Sequence, residues 1–144
     1  MGYYPEPYTE ILRLFPTEKE VFDLLIQAKT TYCGCCSGFR NMKQSRSNYR
    51  YVICRDCKKA TSILKHTFLS RTHLDLRIWI YVIYVTLYAR HSASCRWIMR
   101  ELKINSYNTV WKMMHRIKVV SHQTDRCDDN VKILSALKPI LAQI

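Results

Sequence analysis

Apolar residues recur at helical steps along most of this chain and take on strand character in one short region. Met1 to Glu10, with Pro5 and Pro7 among three tyrosines, predicts an extended lead-in. Pro16-Thr17-Glu18-Lys19-Glu20 then opens a helix, with Thr17 and Glu20 at capping-box spacing and Val21, Phe22, Leu24, Leu25 and Ala28 on its apolar face. Tyr49-Arg50-Tyr51-Val52-Ile53 has the β-branched and aromatic content of a strand, and Ser45-Arg46-Ser47-Asn48 supplies the turn before it. A third strand is expected over Thr61-Ser62-Ile63-Leu64, continued by Thr67-Phe68-Leu69. Thr72 and Asp75 cap a long helix from Leu74 to Ala89, whose Trp79, Tyr81, Ile83, Tyr84, Leu87 and Tyr88 mark it as the spine of the core. The stretch from Leu76 to Ala89 is apolar and aromatic, but Arg77 interrupts it and it is too short to cross a bilayer. Ser94 starts a short helix, Cys95 to Leu102; Lys103-Ile104-Asn105-Ser106 break it, and a longer helix runs to about Val120. Val110, Met113 or Met114, Ile117 and Val120 face inward at three- and four-residue steps. Asp128 to Leu137 predicts a last amphipathic helix, with Val131, Ile133, Leu134 and Leu137 apolar and Pro139 ending it; it either covers the core or joins two subunits.

Composition sharpens this picture. The 144 residues make one modest domain or two very small ones, 48% hydrophobic, and only 3 Gly and 4 Pro favour regular, mainly helical structure. Seven cysteines are present, and four of them form C-x2-C-x17-C-x2-C: Cys33 and Cys36, then Cys54 and Cys57. Two knuckles separated by a hairpin-sized gap are the spacing of one tetrahedral structural zinc ion, with Cys35 as the alternative to Cys36. An odd cysteine count and an N-terminus without a signal-peptide pattern argue against disulfides, and imply a reducing intracellular compartment, nuclear or bacterial. Cys95 and Cys127 have no partner at knuckle spacing and read as buried or half-buried thiols. The fold expected is mainly α with a small β zinc ribbon. Its parts are an N-terminal helical segment (1–30), a four-cysteine zinc ribbon (31–70), a long buried helix with a helix-turn-helix (71–120), and a C-terminal tail and helix (121–144).

The charge is uneven. Of the net +12, residues 1–30 carry 3 basic and 5 acidic side chains, residues 31–120 carry 17 and 3, and residues 121–144 carry 3 of each. The basic surplus therefore sits on the cysteine-bearing and following segments, as on a surface that meets polyphosphate. Arg40, Lys43, Arg46, Arg50, Arg55, Lys58 and Lys59 are the candidate phosphate contacts of the ribbon; Asp56 is the only acid between Cys33 and Leu74. Short helix, tight turn and longer helix form a helix-turn-helix pattern, with Tyr107, Asn108, Thr109 and Lys112 on the exposed first turns of the second helix. Asn108 suits adenine, while Lys112 and Arg116 suit phosphate or guanine. The N-terminal helix is most simply a packing element over the zinc module, with acidic partner docking as the alternative.

Several runs together resemble a known family. Phe15-Pro16-Thr17-Glu18-Lys19-Glu20, the two knuckles, Thr67-Phe68, the Trp79 helix, Arg100-Glu101-Leu102-Lys103-Ile104 and Thr109-Val110-Trp111-Lys112-Met113-Met114-His115-Arg116-Ile117-Lys118 follow one another in order. This resembles, over about residues 15–120, the N-terminal half of insertion-sequence transposases that carry a zinc ribbon, a group that includes the Merlin elements. The usual wording there is close to Arg-Glu-Leu-Gly-Ile, then Thr-Ala-Trp-Arg-Met-x-His-Arg-Ile-Arg. Lys103 replaces the family's turn glycine, and His66 stands where glycine is usual before Thr67. The resemblance implies DNA binding, with catalysis belonging to a downstream RNase H-like domain whose acids hold two metals. Only 24 residues follow Val120, and Asp125, Asp128 and Asp129 lie in one short stretch rather than on separate strands, so no enzyme is expected. His66, His73, His91, His115 and His122 are scattered.

The sequence thus points to a zinc-dependent protein that recognises duplex DNA, with no membrane partner. RNA or ribosome association, and a non-catalytic role beside a catalytic transposase partner or in a homodimer, are the alternatives.

Overall fold

The structure, a computed structural model, describes residues 6–28, 42–70, 72–89, 94–125 and 128–144; Cys33, Cys35, Cys36, Arg40 and Cys127 lie outside them. The described residues form α1 (Glu6–Leu14), α2 (Glu18–Ala28), β1 (Met42–Gln44), β2 (Tyr51–Cys54), β3 (Ala60–Ser62), α3 (Leu76–Ile83) continued by a π-helical turn (Tyr84–Tyr88), α4 (Cys95–Leu102), α5 (Tyr107–Ser121) and α6 (Asp129–Leu141). The chain is thus mainly helical, with a small three-stranded antiparallel sheet in the order β1-β2-β3. No helix among the described residues is long and apolar enough to cross a membrane.

α3 is the core's spine, as its pattern predicts: Leu76 and the run Trp79 to Ile83 are all buried, and α1, α2 and α5 pack around it. Asp75 caps it by accepting from the Arg77 backbone N–H at 2.8 Å. Burial works to raise the Asp75 carboxyl, but the hydrogen bonds and charge of Arg77 outweigh it and hold the group below the usual carboxylate range. The helix does not stay α-helical to Ala89; it widens into the π turn, closed by Ala89 N–H donating to the Tyr84 carbonyl at 2.9 Å.

Three expectations need correction. From Glu6 onward the predicted lead-in is α1 rather than extended chain, because Pro7 falls in the first helical turn, where a missing N–H costs nothing; residues 1–5 lie outside the described residues. Burial supplies the drive: Tyr8, Ile11 and Phe15 are buried, and Tyr8 meets Tyr81 edge-on at 5.5 Å. Thr67-Phe68-Leu69 does not extend the third strand, since β3 ends at Ser62 and residues 63–70 are turns. There the buried Thr67 hydroxyl donates to the Leu64 carbonyl at 2.7 Å and accepts from Leu69 N–H at 3.2 Å. The β-like composition of that run reflects burial of Phe68 and Leu69. Finally, Pro139 lies inside α6, which continues to Leu141. The proline removes one hydrogen bond near the helix end, while burial of Leu137 and Leu141 against the core favours continuation. α6 packs on α2 and α5, and Asn130 in its first turn accepts from Phe68 N–H at 2.9 Å, so it covers the core.

α2 reaches the sheet through its first turn. Thr17 and Glu20 make the expected capping contact, with Glu20 Oε2 accepting from Thr17 N–H at 2.6 Å and from the Thr17 hydroxyl at 2.5 Å. Beside them Glu18, 8% exposed, joins three elements. Its Oε1 accepts from the Tyr49 hydroxyl and Arg50 Nη2, both at 2.8 Å, while Oε2 accepts from Arg50 at 3.0 Å and from Leu76 N–H, at the start of α3, at 2.9 Å. Phe22 adds a ring contact with Tyr49 at 5.4 Å and lies under the Arg50 guanidinium at 5.5 Å. The sheet is thereby fixed to the helical core.

Candidate nucleic-acid interface

α4 and α5 meet through a turn whose chemistry is local. Ser94 caps α4 by accepting from Trp97 N–H at 3.1 Å, and Ser106 caps α5 by accepting from Thr109 N–H at 3.2 Å. Between them Lys103 is left-handed at φ 57°, and Ile104 N–H donates back to the Met99 carbonyl at 2.9 Å. This is a helix end of the kind that favours glycine; an ordinary side chain there costs about 1–2 kcal/mol. Val110, Met113, Met114, Ile117 and Val120 bury one face of α5. Cys95 is half-buried, its sulfur 3.4 Å from that of Met114.

The other faces of α5 carry the predicted contacts. Asn108 and Lys112 are exposed and Thr109 half-buried. Thr109, Lys112, Met113 and Arg116 form one wall of a cleft of about 320 Å³, completed by Thr72, His73, Leu74 and Trp79 from the loop before α3 and its first turn. Trp79 Nε1 donates to the Thr72 hydroxyl at 2.9 Å, which holds this loop on α3. A second cleft, about 720 Å³, runs from there to the sheet and is lined by Arg50, Lys65, His66, His73 and Arg116 together with Tyr51 and Ser62. The two share Thr72, His73 and Arg116, and no described acidic residue lines either. Arg116 sits at the junction, its Nη1 donating to the Phe68 and Ser70 carbonyls at 3.5 and 3.4 Å, the long limit for such bonds. The α5 face and one end of the sheet thus share a continuous basic groove.

The sheet divides the other candidates. Tyr51 pairs with Ser62 at the groove end, whereas Arg55, Lys58 and Lys59 follow Cys54 in the β2–β3 turn at the opposite end, with all three exposed. Arg46 and Lys43 are also exposed. Arg50 lines the groove but is held by Glu18, with about a third of its side chain open. Lys65, His66 and His73 were not among the sequence-predicted contacts; the signal available was a basic loop between β3 and α3. His66, at φ 66°, is left-handed like Lys103.

Two of the four predicted zinc ligands fall among the described residues. Cys54 is buried at the end of β2 and Cys57 is exposed in the turn. Lys58 N–H donates to the Cys54 carbonyl at 2.9 Å, Cys54 N–H donates to the Lys59 carbonyl at 3.0 Å, and Lys58 is left-handed at φ 64°. This closed loop with a cysteine at each end of its first turn suits a metal knuckle. β1 begins at Met42, which pairs with Cys54, so its first residue lies at the knuckle end of the sheet. No three His, Cys, Asp or Glu able to hold a metal gather among the described residues, which exclude Cys33 and Cys36. No family model, curated protein or solved structure matches the chain at a significant level.

Proposed function

We propose that this protein is a zinc-dependent binder of duplex DNA that uses α4 and α5 as a helix-turn-helix and acts by recognition rather than catalysis. The observation that carries the reading is the groove, lined by no described acidic residue, in which Lys112 and Arg116 of α5 and Lys65, His66 and His73 of the β3–α3 loop share one surface. Phosphates on that groove would position the duplex, and the first turns of α5, with Asn108 exposed, would meet base edges. Cys33, Cys36, Cys54 and Cys57 would hold one structural zinc that secures the sheet. The transposase resemblance supports the same reading. The two positions where its glycines are replaced, His66 and Lys103, both have left-handed backbone, the conformation glycine adopts freely.

The test is selection of duplexes by zinc-loaded protein at about 0.15 M salt, where purely electrostatic binding is weakened. An enriched sequence is expected, with affinity for it falling roughly tenfold or more in Asn108→Ala. Lys65→Ala should weaken all sequences alike and reduce the salt slope by about one unit. No enriched sequence, or structured RNA bound more than about tenfold tighter than duplex, would overturn the proposal.

A further inference from the structure

Beyond the groove wall, α5 carries a second row of side chains at four-residue steps: Tyr107, Trp111, His115 and Val119. Only four large hydrophobic residues are exposed among those described, and three of them lie in this row: Tyr107 at 47%, Trp111 at 48% and Val119 at 49%. The Trp111 ring stacks on His115, with centroids 5.0 Å apart and planes 5° from parallel. An apolar row left open along one surface helix is the kind of patch that takes a contact. α5 contains Lys112, Arg116 and Lys118 and no acid, so the charge around the row favours a polyanion and disfavours a second copy of a +12 chain.

A duplex major groove offers one apolar group, the thymine C5-methyl. From Tyr107 to Val119 the row spans about 18 Å along the helix, or roughly five base-pair steps. Asn108, beside the row, has the two-pronged amide that suits adenine. We infer that Trp111 and Val119 read thymine methyl groups, so that the recognised duplex is rich in A·T pairs along the α5 contact. RNA helices lack this methyl and their major groove is too narrow for the helix. The inference rests on the duplex-DNA reading proposed above.

The test compares the selected duplex with the same duplex carrying deoxyuridine in place of every thymine, which removes the methyl groups and keeps base pairing. Full-length zinc-loaded protein should bind the deoxyuridine duplex about fourfold more weakly per methyl lost from contact. The double variant Trp111→Ala/Val119→Ala, whose altered side chains are exposed and whose helicity is checked by circular dichroism, should bind both duplexes equally. Equal binding of both duplexes by the wild-type protein would overturn the inference and leave the duplex reading standing. A deoxyuridine penalty that persists undiminished in the double variant would trace to DNA stiffness and overturn it as well. Failure to select any duplex would remove the underlying reading and the inference together.

Discussion

Cys57→Ser is expected to abolish the proposed zinc binding and to destabilise the protein by about 3 kcal/mol or more. The position makes the result informative. Cys57 is exposed in the turn after β2, so as an ordinary surface thiol its change to the near-isosteric serine would alter stability by no more than about 0.5 kcal/mol. Cys54 is less diagnostic, because it is buried and its replacement would disturb packing in any case. The strands of the sheet are three or four residues long, and the β2–β3 turn is exposed from Arg55 to Lys59. So small a sheet is marginal unless it is packed or stapled. The check is metal content by mass spectrometry with denaturant unfolding of both proteins. One zinc per wild-type chain and a deficit in Cys57→Ser is the expected result. A metal-free wild type, or a variant of unchanged stability, would remove zinc from the account.

Glu18→Ala should cost about 2–4 kcal/mol. Glu18 receives hydrogen bonds from Tyr49, Arg50 and the Leu76 backbone, and its carboxylate lies at the start of α3, where negative charge is favoured. Its removal leaves three donors to find water. Arg50, about a third exposed, is partly rehydrated, whereas the Leu76 N–H is buried; this sets the cost below that of a fully buried broken pair. Denaturant unfolding of the single variants Glu18→Ala and Arg50→Ala and of the double variant should give a coupling of about 1 kcal/mol or more. A coupling near zero would contradict a latch between α2 and the sheet through Glu18 and Arg50. The effect reaches function because Arg50 and Tyr51 line the groove from the sheet side, while Lys112 and Arg116 line it from α5. Loosening the sheet from the core would separate the two walls, so Glu18→Ala should also weaken the proposed DNA binding.

The parts of this fold legible in the sequence are those set by neighbours. Ser94 announces the start of α4, and the four-residue break that ends at Ser106 separates it from α5, because a cap or a breaker acts within a few residues. The inward row of α5 follows from its period alone. The misreadings share one cause, since tertiary burial overrode a local signal. Pro7 and Pro139 look like breakers, but one lies in a first turn and the other ahead of the buried Leu141. Thr67-Phe68-Leu69 looks like strand because buried turns need apolar side chains too.

The latch and the groove were illegible for a different reason. Glu18 has partners 31, 32 and 58 residues away, and next to Glu20, the visible capping residue, it carries no mark of its own. Lys65, His66 and His73 look like scattered loop residues until packing brings the β3–α3 loop against α5. The knuckle-end Arg55, Lys58 and Lys59 read as one group with Arg46 and Arg50, yet strand geometry places them at the opposite end of β2.

One groove joins the sheet to α5, and duplex DNA is proposed to lie in it. The most direct test of that placement is an NMR titration of isotope-labelled, zinc-loaded protein with the selected duplex at about physiological salt. Shift changes should concentrate at Lys65, His66 and His73 and along α5 from Tyr107 to Val119. Changes confined to the Arg55–Lys59 turn, with α5 unmoved, would contradict it.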